Sequence, residues 1–298
     1  MDASGIFPAL TTPFHSDGSV ALDHFKADLA RYNQTGLAGY VVLGSTGESV
    51  LLSAAESESL LAAGKEAAAP DKLLIAGTGA ESTAETIARC KRAAALGYHV
   101  ALTKTPYYYK PAYNAEAYGR HYRSVADASP IPVLLYSVPI FTGVTLETPE
   151  ILALADHPNI IGIKDSSGSI QRIVEVVAQA HKKFQVLTGS AGVLYPALAS
   201  GAKGAILALA SALPEKCVEL FELFKAGQHA EAQSLQQHLA LASKAIVSDG
   251  GIAGVKCAMD VRGYHGGLPR LPLLPLAESK KPQIAQFVKQ FEPVAARA

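Results

Sequence analysis

The stretch Ile160-Ile161-Gly162-Ile163-Lys164-Asp165-Ser166-Ser167-Gly168 is an apolar run closed by a lysine, then by an acid, two serines and a glycine. An apolar run of this length bounded by turn residues reads as a buried strand. A lysine is an unusual last residue for such a strand. Burial strips an ammonium of its hydration and favours the neutral amine, the nucleophile of Schiff-base chemistry. The competing reading is a strand-end lysine whose stem carries its charge out to solvent.

Working outward, similar runs recur on both sides. Strand candidates fall at residues 5–10, 39–43, 72–76, 99–103, 132–136, 160–164, 185–188 and 204–207. They are continuously apolar rather than alternating, as strands buried on both faces of a parallel sheet are. Helical patterns lie between them. Leu22, Phe25, Leu29 and Tyr32 share one face, with Gly36 as a stop. Ser53 with Glu56, and Ser82 with Glu85, read as capping boxes. The second of these opens a helix with a stripe of Ile87, Cys90 and Ala94. Thr148 reads as a cap followed by Pro149 at the first helical position. Ser169 caps a helix with Ile170, Ile173, Val174 and Val177 on one face. Eight strand–helix units predict a (β/α)8 TIM barrel over residues 1–225. The runner-up is a doubly wound open sheet, but Thr11-Thr12-Pro13-Phe14 after the first strand is nothing like its glycine-rich turn. Helical patterns at 231–247, 254–262 and 282–291 make residues 226–298 a C-terminal helical extension packed on the barrel.

Composition narrows the function classes. Of 298 residues, 49% are hydrophobic and the formal net charge is zero, so a large core is available and no charge excess points to nucleic acid or an anionic membrane. No apolar run reaches the roughly 18 residues of a membrane span. The N-terminus has neither a secretory nor an Arg-rich transit pattern, and the three scattered cysteines fit reduced thiols, so a cytoplasmic location is expected. The nine histidines show no H-x-H or H-E-x-x-H spacing. There is no G-x-S-x-G elbow. Gly250-Gly251-Ile252-Ala253-Gly254-Val255-Lys256 falls short of a Walker A loop. No metal or cofactor is expected.

In such barrels chemistry sits at the C-terminal ends of the strands. Gly44-Ser45-Thr46-Gly47-Glu48 places two hydroxyls and several backbone N–H groups at that rim, a concavity suited to a small carboxylate or an ordinary turn. Tyr136 and Lys164 end neighbouring strands, and a phenol beside an amine can shuttle protons. Tyr107, Tyr108 and Tyr109 cannot all face inward, so one or two are expected to serve an interface. Gly189-Ser190-Ala191-Gly192 lacks an arginine, which favours a neutral or carboxylate contact over phosphate. Lys104 also ends a strand and rivals Lys164. It is expected to face the helices or the loop rather than the barrel mouth.

Together these residues resemble the dihydrodipicolinate synthase and N-acetylneuraminate lyase family of pyruvate-using class I aldolases. The marks span the chain: TTPF at 11–14, GSTGE at 44–48, GTGAEST at 77–83, TPYYYKP at 105–111, YSVP at 136–139, NIIGIKDSSG at 159–168 and GSAG at 189–192. The resemblance implies that Lys164 forms the imine with a 2-oxo acid and that Tyr136 is the general acid/base. It implies that Ser45 and Tyr108 complete a proton relay, with Tyr108 reaching in from a neighbouring subunit. Thr46 matches the carboxylate site, and Gly189, Ser190 and Ile206 match the lining. A homotetramer built from tight dimers is implied as well.

The substrate half departs from the pattern. Synthases typically carry an arginine two positions after the YNVP-type motif, where this chain has Phe141. Neuraminate lyases typically have Gly-Tyr/Phe-Asp-Glu where this chain has GSAG. Lys104 stands where an aliphatic residue is more usual. YSVP, HPNIIGIKDSSG, FQVLTGSAG and SPIPVLLYS look most similar to the 4-hydroxy-2-oxoglutarate aldolases. The activity expected first is reversible cleavage of 4-hydroxy-2-oxoglutarate to pyruvate and glyoxylate. Condensation of pyruvate with aspartate semialdehyde is expected second. A non-catalytic 2-oxo acid sensor is the reading of another class, and a binder has no need of the proton relay.

Overall fold

The computed structural model describes residues 1–291. Eight strands form one parallel sheet: β1 Gly5–Pro8, β2 Gly39–Val42, β3 Leu73–Gly77, β4 Val100–Lys104, β5 Val133–Ser137, β6 Ile160–Asp165, β7 Gln185–Thr188 and β8 Gly204–Leu207. β1 pairs with β8, and the remaining strands follow in order round to β2. The circle closes between β1 and β2, where the Leu10 N–H donates to Val41 O at 3.0 Å and the Ala38 N–H to Ile6 O at 2.9 Å. Each strand lies within a residue or two of its sequence expectation. The open-sheet alternative is excluded by this closure.

Alternation along the strands sorts two cores. Phe7, Val41, Ile75, Val100, Leu102, Leu134, Leu187 and Ile206 fill the barrel interior. Their neighbours in sequence, such as Ala101, Val133, Leu135, Ile163 and Val186, face outward onto Cys90, Tyr122, Ile151 and Ile173 of the surrounding helices. The interior is packed solid, so the site is confined to the mouth.

Several helix ends differ from the sequence reading. Ser53 and Glu56 form the full capping box. Ser82 accepts from the Glu85 N–H at 3.1 Å, but the Glu85 carboxylate is taken by Arg89 and Arg92 at 2.9 and 2.7 Å, so the box is only half made. The cap of the helix Thr148–Ala155 is Glu147, not Thr148, and its N–H donates to the Glu150 carboxylate at 2.7 Å. On the helix Ile170–Gln179, Val174 is exposed, and the buried face runs through Arg172, Ile173 and Val176. Arg172 displaces Val174 from that face because its guanidinium is drawn in by the Asp165 carboxylate at 2.7 Å.

Beyond the helix Pro214–Lys225 come His229–Ser243, a π-helical turn over Lys244–Ser248, and the helices Gly251–Val261 and Lys281–Gln290. Leu239, Ile246, Val255 and Met259 from these segments join Ile6, Leu10 and Tyr264 in one buried cluster. Among the described residues no helix is long and apolar enough to cross a membrane.

Candidate active site

Register places the key side chains. Tyr136 is opposite Lys164 across β5–β6, and Lys164 is opposite Leu187 across β6–β7. Leu134, Tyr136 and Leu187 point into the barrel, so Lys164 does too. It is 4% exposed, and its Nζ lies 4.2 Å from the centroid of the Tyr136 ring. That contact holds the amine against a π face, a favourable place for a cation in a dry site. The Tyr136 hydroxyl in turn meets Ser45 Oγ at 3.3 Å. The structure thus brings Lys164, Tyr136 and Ser45 together at the C-terminal mouth of the barrel.

The residue after Lys164 faces the other way. Asp165 accepts from the Ser167 N–H at 2.8 Å and from Arg172 Nε at 2.7 Å, and Arg172 also meets Glu147 at 3.2 Å. This buried ion pair fixes the end of β6 and so the base of the Lys164 side chain.

The GSTGE loop is held in a strained turn. Leu43 and Glu48 on either side have φ of 62° and 56°, left-handed values that side-chain-bearing residues seldom adopt. The Gly47 N–H donates to Gly44 O and the Glu48 N–H to Ser45 O, each at 3.1 Å. Among the described residues no acceptor takes the backbone N–H of Ser45 or Thr46. Gly77 is needed beneath the loop, since a Cβ there would lie 2.0 Å from Leu43 O. Glu48 is fully buried. Lys256 Nζ reaches its Oε1 at 2.7 Å, and the Arg270 N–H donates to its Oε2 at 2.8 Å.

The remaining expected site residues are dispersed. Ile206 is fully buried in the interior layer that contains Tyr136. Gly189 donates its N–H to Asp165 O at 2.6 Å and packs on Ser166, whose Oγ would lie 1.8 Å from an added Cβ. Ser190 is half-buried beside it, its N–H donating to Thr188 Oγ1 at 3.2 Å. Tyr108 is not with the others: it is 72% exposed, edge-on to an equally outward Tyr109.

Lys104 corrects the expectation made for it. Val100 and Leu102 point inward, so the second residue after Leu102 does as well, and Lys104 sits opposite Tyr136 across β4–β5. It lines a cavity of about 220 Å³ at the mouth with Ser45, Glu48, Tyr107, Val138 and Phe141. Two further features had no clear signal in sequence. Glu48 reads as the end of a turn, and Lys256 as a failed phosphate-loop lysine, yet they form one buried ion pair. The only trace was a lysine inside the apolar helix Gly251–Val261.

A closed parallel barrel with an inward lysine and tyrosine at its mouth is the frame of a Schiff-base lyase, an enzyme of the class I aldolase type. More particularly, the chain belongs to the dihydrodipicolinate synthetase family, whose model matches residues 2–291. It is 35% identical over 291 residues to a 4-hydroxy-tetrahydrodipicolinate synthase of an Exiguobacterium species, covering 98% of this chain and 99% of that one. It is 42% identical over 200 residues to a probable mitochondrial 4-hydroxy-2-oxoglutarate aldolase of Emericella nidulans, covering 67% of this chain and 64% of that protein. Among solved structures, a dihydrodipicolinate synthase from Bacillus anthracis superposes with a TM-score of 0.92 at 30% identity, covering 98% of this chain and 99% of that one. YagE, a prophage protein of the same family from E. coli K12 in complex with pyruvate, gives 0.92 at 28% identity over 97% and 99%. Full-length relatives named as synthases favour the condensation reading over the cleavage reading that the sequence motifs put first.

Proposed function

We propose that Lys164 forms an imine with C2 of pyruvate and that the chain catalyses the reversible cleavage of 4-hydroxy-2-oxoglutarate to pyruvate and glyoxylate. The observation that carries the first half is the contact chain from Lys164 Nζ over the Tyr136 ring, at 4.2 Å, to Ser45 Oγ at 3.3 Å from the Tyr136 hydroxyl. The Lys164 amine adds to the C2 carbonyl, and loss of water leaves a protonated imine. Electrons of the C3–C4 bond then flow to the imine nitrogen as Tyr136 takes the C4 hydroxyl proton, and glyoxylate leaves. Protonation of the enamine at C3 and hydrolysis release pyruvate and restore the amine. The N–H groups of Ser45 and Thr46 are the donors for the pyruvate carboxylate. Gly189, Ser190 and Ile206 shape the wall. Tyr108, exposed on its own chain, serves the relay of a neighbouring subunit through Ser45 in a homotetramer.

The second half rests on Phe141, 60% exposed at the rim, where a synthase is expected to hold an arginine for its second substrate. Condensation with aspartate semialdehyde is the second reading, favoured by the names of the full-length relatives. Borohydride reduction in the presence of pyruvate, followed by peptide mass mapping, tests the common half. A pyruvate adduct on Lys164, lost in Lys164→Met, is expected; absence of an adduct at Lys164 would sink both readings. Parallel coupled assays of 4-hydroxy-2-oxoglutarate cleavage and aspartate-semialdehyde condensation then separate them.

A further inference from the structure

We propose that Lys104 is a specificity-determining residue of the acceptor half of the site, its ammonium holding the carboxylate of the aldehyde that adds to, or leaves, the three-carbon enamine on Lys164. The inference rests on the Lys164 imine and adds to it the chemical class of the second substrate: a short aldehyde bearing a carboxylate.

The placement follows from the barrel. Lys104 and Lys164 are each in register with Tyr136, one on either side. Adjacent strands are about 4.8 Å apart, so the two lysine backbones are separated by about 10 Å with the Tyr136 phenol between them. An aldehyde lying over Tyr136 presents its carbonyl to the phenol and the enamine, and its far end to Lys104. The cavity there, about 220 Å³, is open to that far end. Apart from Lys104, its lining is mostly apolar: Val138 and Phe141 from the N-cap and body of the short helix Pro139–Thr142 after β5, Ile252 and Leu273 from the C-terminal extension. Lys104 carries the one positive charge among the described lining residues.

The Lys104 ammonium is also underused. Its nearest carboxylate, Glu81, is 3.9 Å away, too far for a hydrogen bond, and its nearest ring, Tyr107, is 5.0 Å from Nζ. Glu81 faces Lys104 with Oε1, while its Oε2 accepts from the Tyr107 and Tyr108 N–H groups at 3.0 and 2.8 Å, which anchors the carboxylate at that distance. Glu48, the one acid among the described lining residues, is taken by Lys256 and the Arg270 N–H. A largely buried cation whose one ion pair is long, set in a mostly apolar cavity beside the reacting phenol, calls for an anionic ligand. Burial pushes the Lys104 ammonium below its ordinary value, with Glu81 opposing, and a bound carboxylate relieves that penalty.

The test is aldol synthesis from pyruvate with two aldehydes, glyoxylate and uncharged acetaldehyde, by wild type, Lys104→Met and Lys104→Arg, with aspartate semialdehyde run as a second charged acceptor. Losing one charge-assisted hydrogen bond is expected to raise KM for the charged acceptor about tenfold or more in Lys104→Met. The preference for charged over uncharged aldehyde, as a ratio of kcat/KM, falls by the same factor. Lys104→Arg keeps the charge and is expected to recover most of the preference. An unchanged ratio in Lys104→Met overturns the proposal, as does an equal loss with both aldehydes. Borohydride trapping with pyruvate alone separates the two levels. Failure to label Lys164 in wild type defeats the imine reading itself. Labelling with an unchanged ratio defeats only the role of Lys104.

Discussion

Tyr136 carries two duties that a single substitution can separate. Its ring is a wall for Lys164 and its hydroxyl is a step toward Ser45. Tyr136→Phe keeps the ring and removes the proton carrier. We expect kcat to fall by about 10²–10⁴-fold, the range for loss of a general acid/base, while pyruvate still traps on Lys164, more slowly. Steady-state rates beside timed borohydride trapping check this; a variant with near-normal kcat would remove Tyr136 from proton transfer. The two strand-end lysines show how much hangs on parity at this scale. Reading Gly162 and Lys164 as sharing a face was possible because the run at 160–164 begins and ends sharply. On β4 the sequence leaves the inward face open, and only the pairing with β5, which sets Lys104 opposite the inward Tyr136, fixes the direction of its side chain.

Between elements, the helices Thr83–Ala95 and Ala115–Ala128 enclose His121, which is 7% exposed. Its Nδ1 meets Thr83 Oγ1 at 2.9 Å, and its Nε2 has no partner among the described residues. Burial holds the imidazole neutral, pushing its pKa from 6.5 down to about 4, and the nearby Lys104 adds to this while Glu81 opposes it. Because the folded value lies below the unfolded one, protons bind the unfolded chain more readily. The contribution is complete above pH 6.5 and drains as pH falls toward 4. By pH 5 the loss is about 2 kcal/mol. Urea unfolding at pH 7.5, 6 and 5 should show this slope in wild type and a flatter one in His121→Leu; parallel slopes would assign the acid sensitivity elsewhere. Elements were the most legible level of this chain. Buried parallel strands are written as local apolar runs, and Ser53 and Ser169 announce their helices through bonds made within three residues. The departures at Ser82, Thr148 and Val174 all involve ion-pairing or hydrogen-bonding side chains that a local pattern leaves out. In each a charged side chain intervened: Arg89 and Arg92 took the Glu85 carboxylate, Glu175 accepts from the Thr148 hydroxyl at 3.2 Å, and Asp165 drew Arg172 onto the buried face.

At the scale of the whole molecule, the active-site loop and the C-terminal segments are tied by groups 208 positions apart in the chain, which no local pattern could join. Lys256 Nζ meets Glu48 Oε1 at 2.7 Å and donates to Thr12 O and Leu268 O, each at 2.9 Å. Arg270 adds its N–H to Glu48 and its guanidinium to Glu56, at 2.6 and 2.9 Å, and both it and Lys256 lie over the Phe14 ring. Neither Glu48 nor Lys256 has any exposed side-chain surface. Burial lowers the Lys256 pKa, opposed chiefly by Glu48, so the pair is stable only while both members are present. We infer that residues 226–291 and the barrel unfold together and that this pair sets the GSTGE turn. Glu48→Gln strands a buried ammonium, and Lys256→Met strands a buried carboxylate. Each is expected to cost about 3–5 kcal/mol. Each should also raise KM for pyruvate, because Glu48 closes the strained turn that presents Ser45 and Thr46. The double variant leaves no unpaired charge, so it should be more stable than the sum of the single losses by about 0.5–3 kcal/mol. Denaturant unfolding of the four proteins, followed by two probes, reads both claims. Strict additivity would mean that the two charges are not coupled, and separate transitions for barrel and extension would mean that the extension folds by itself.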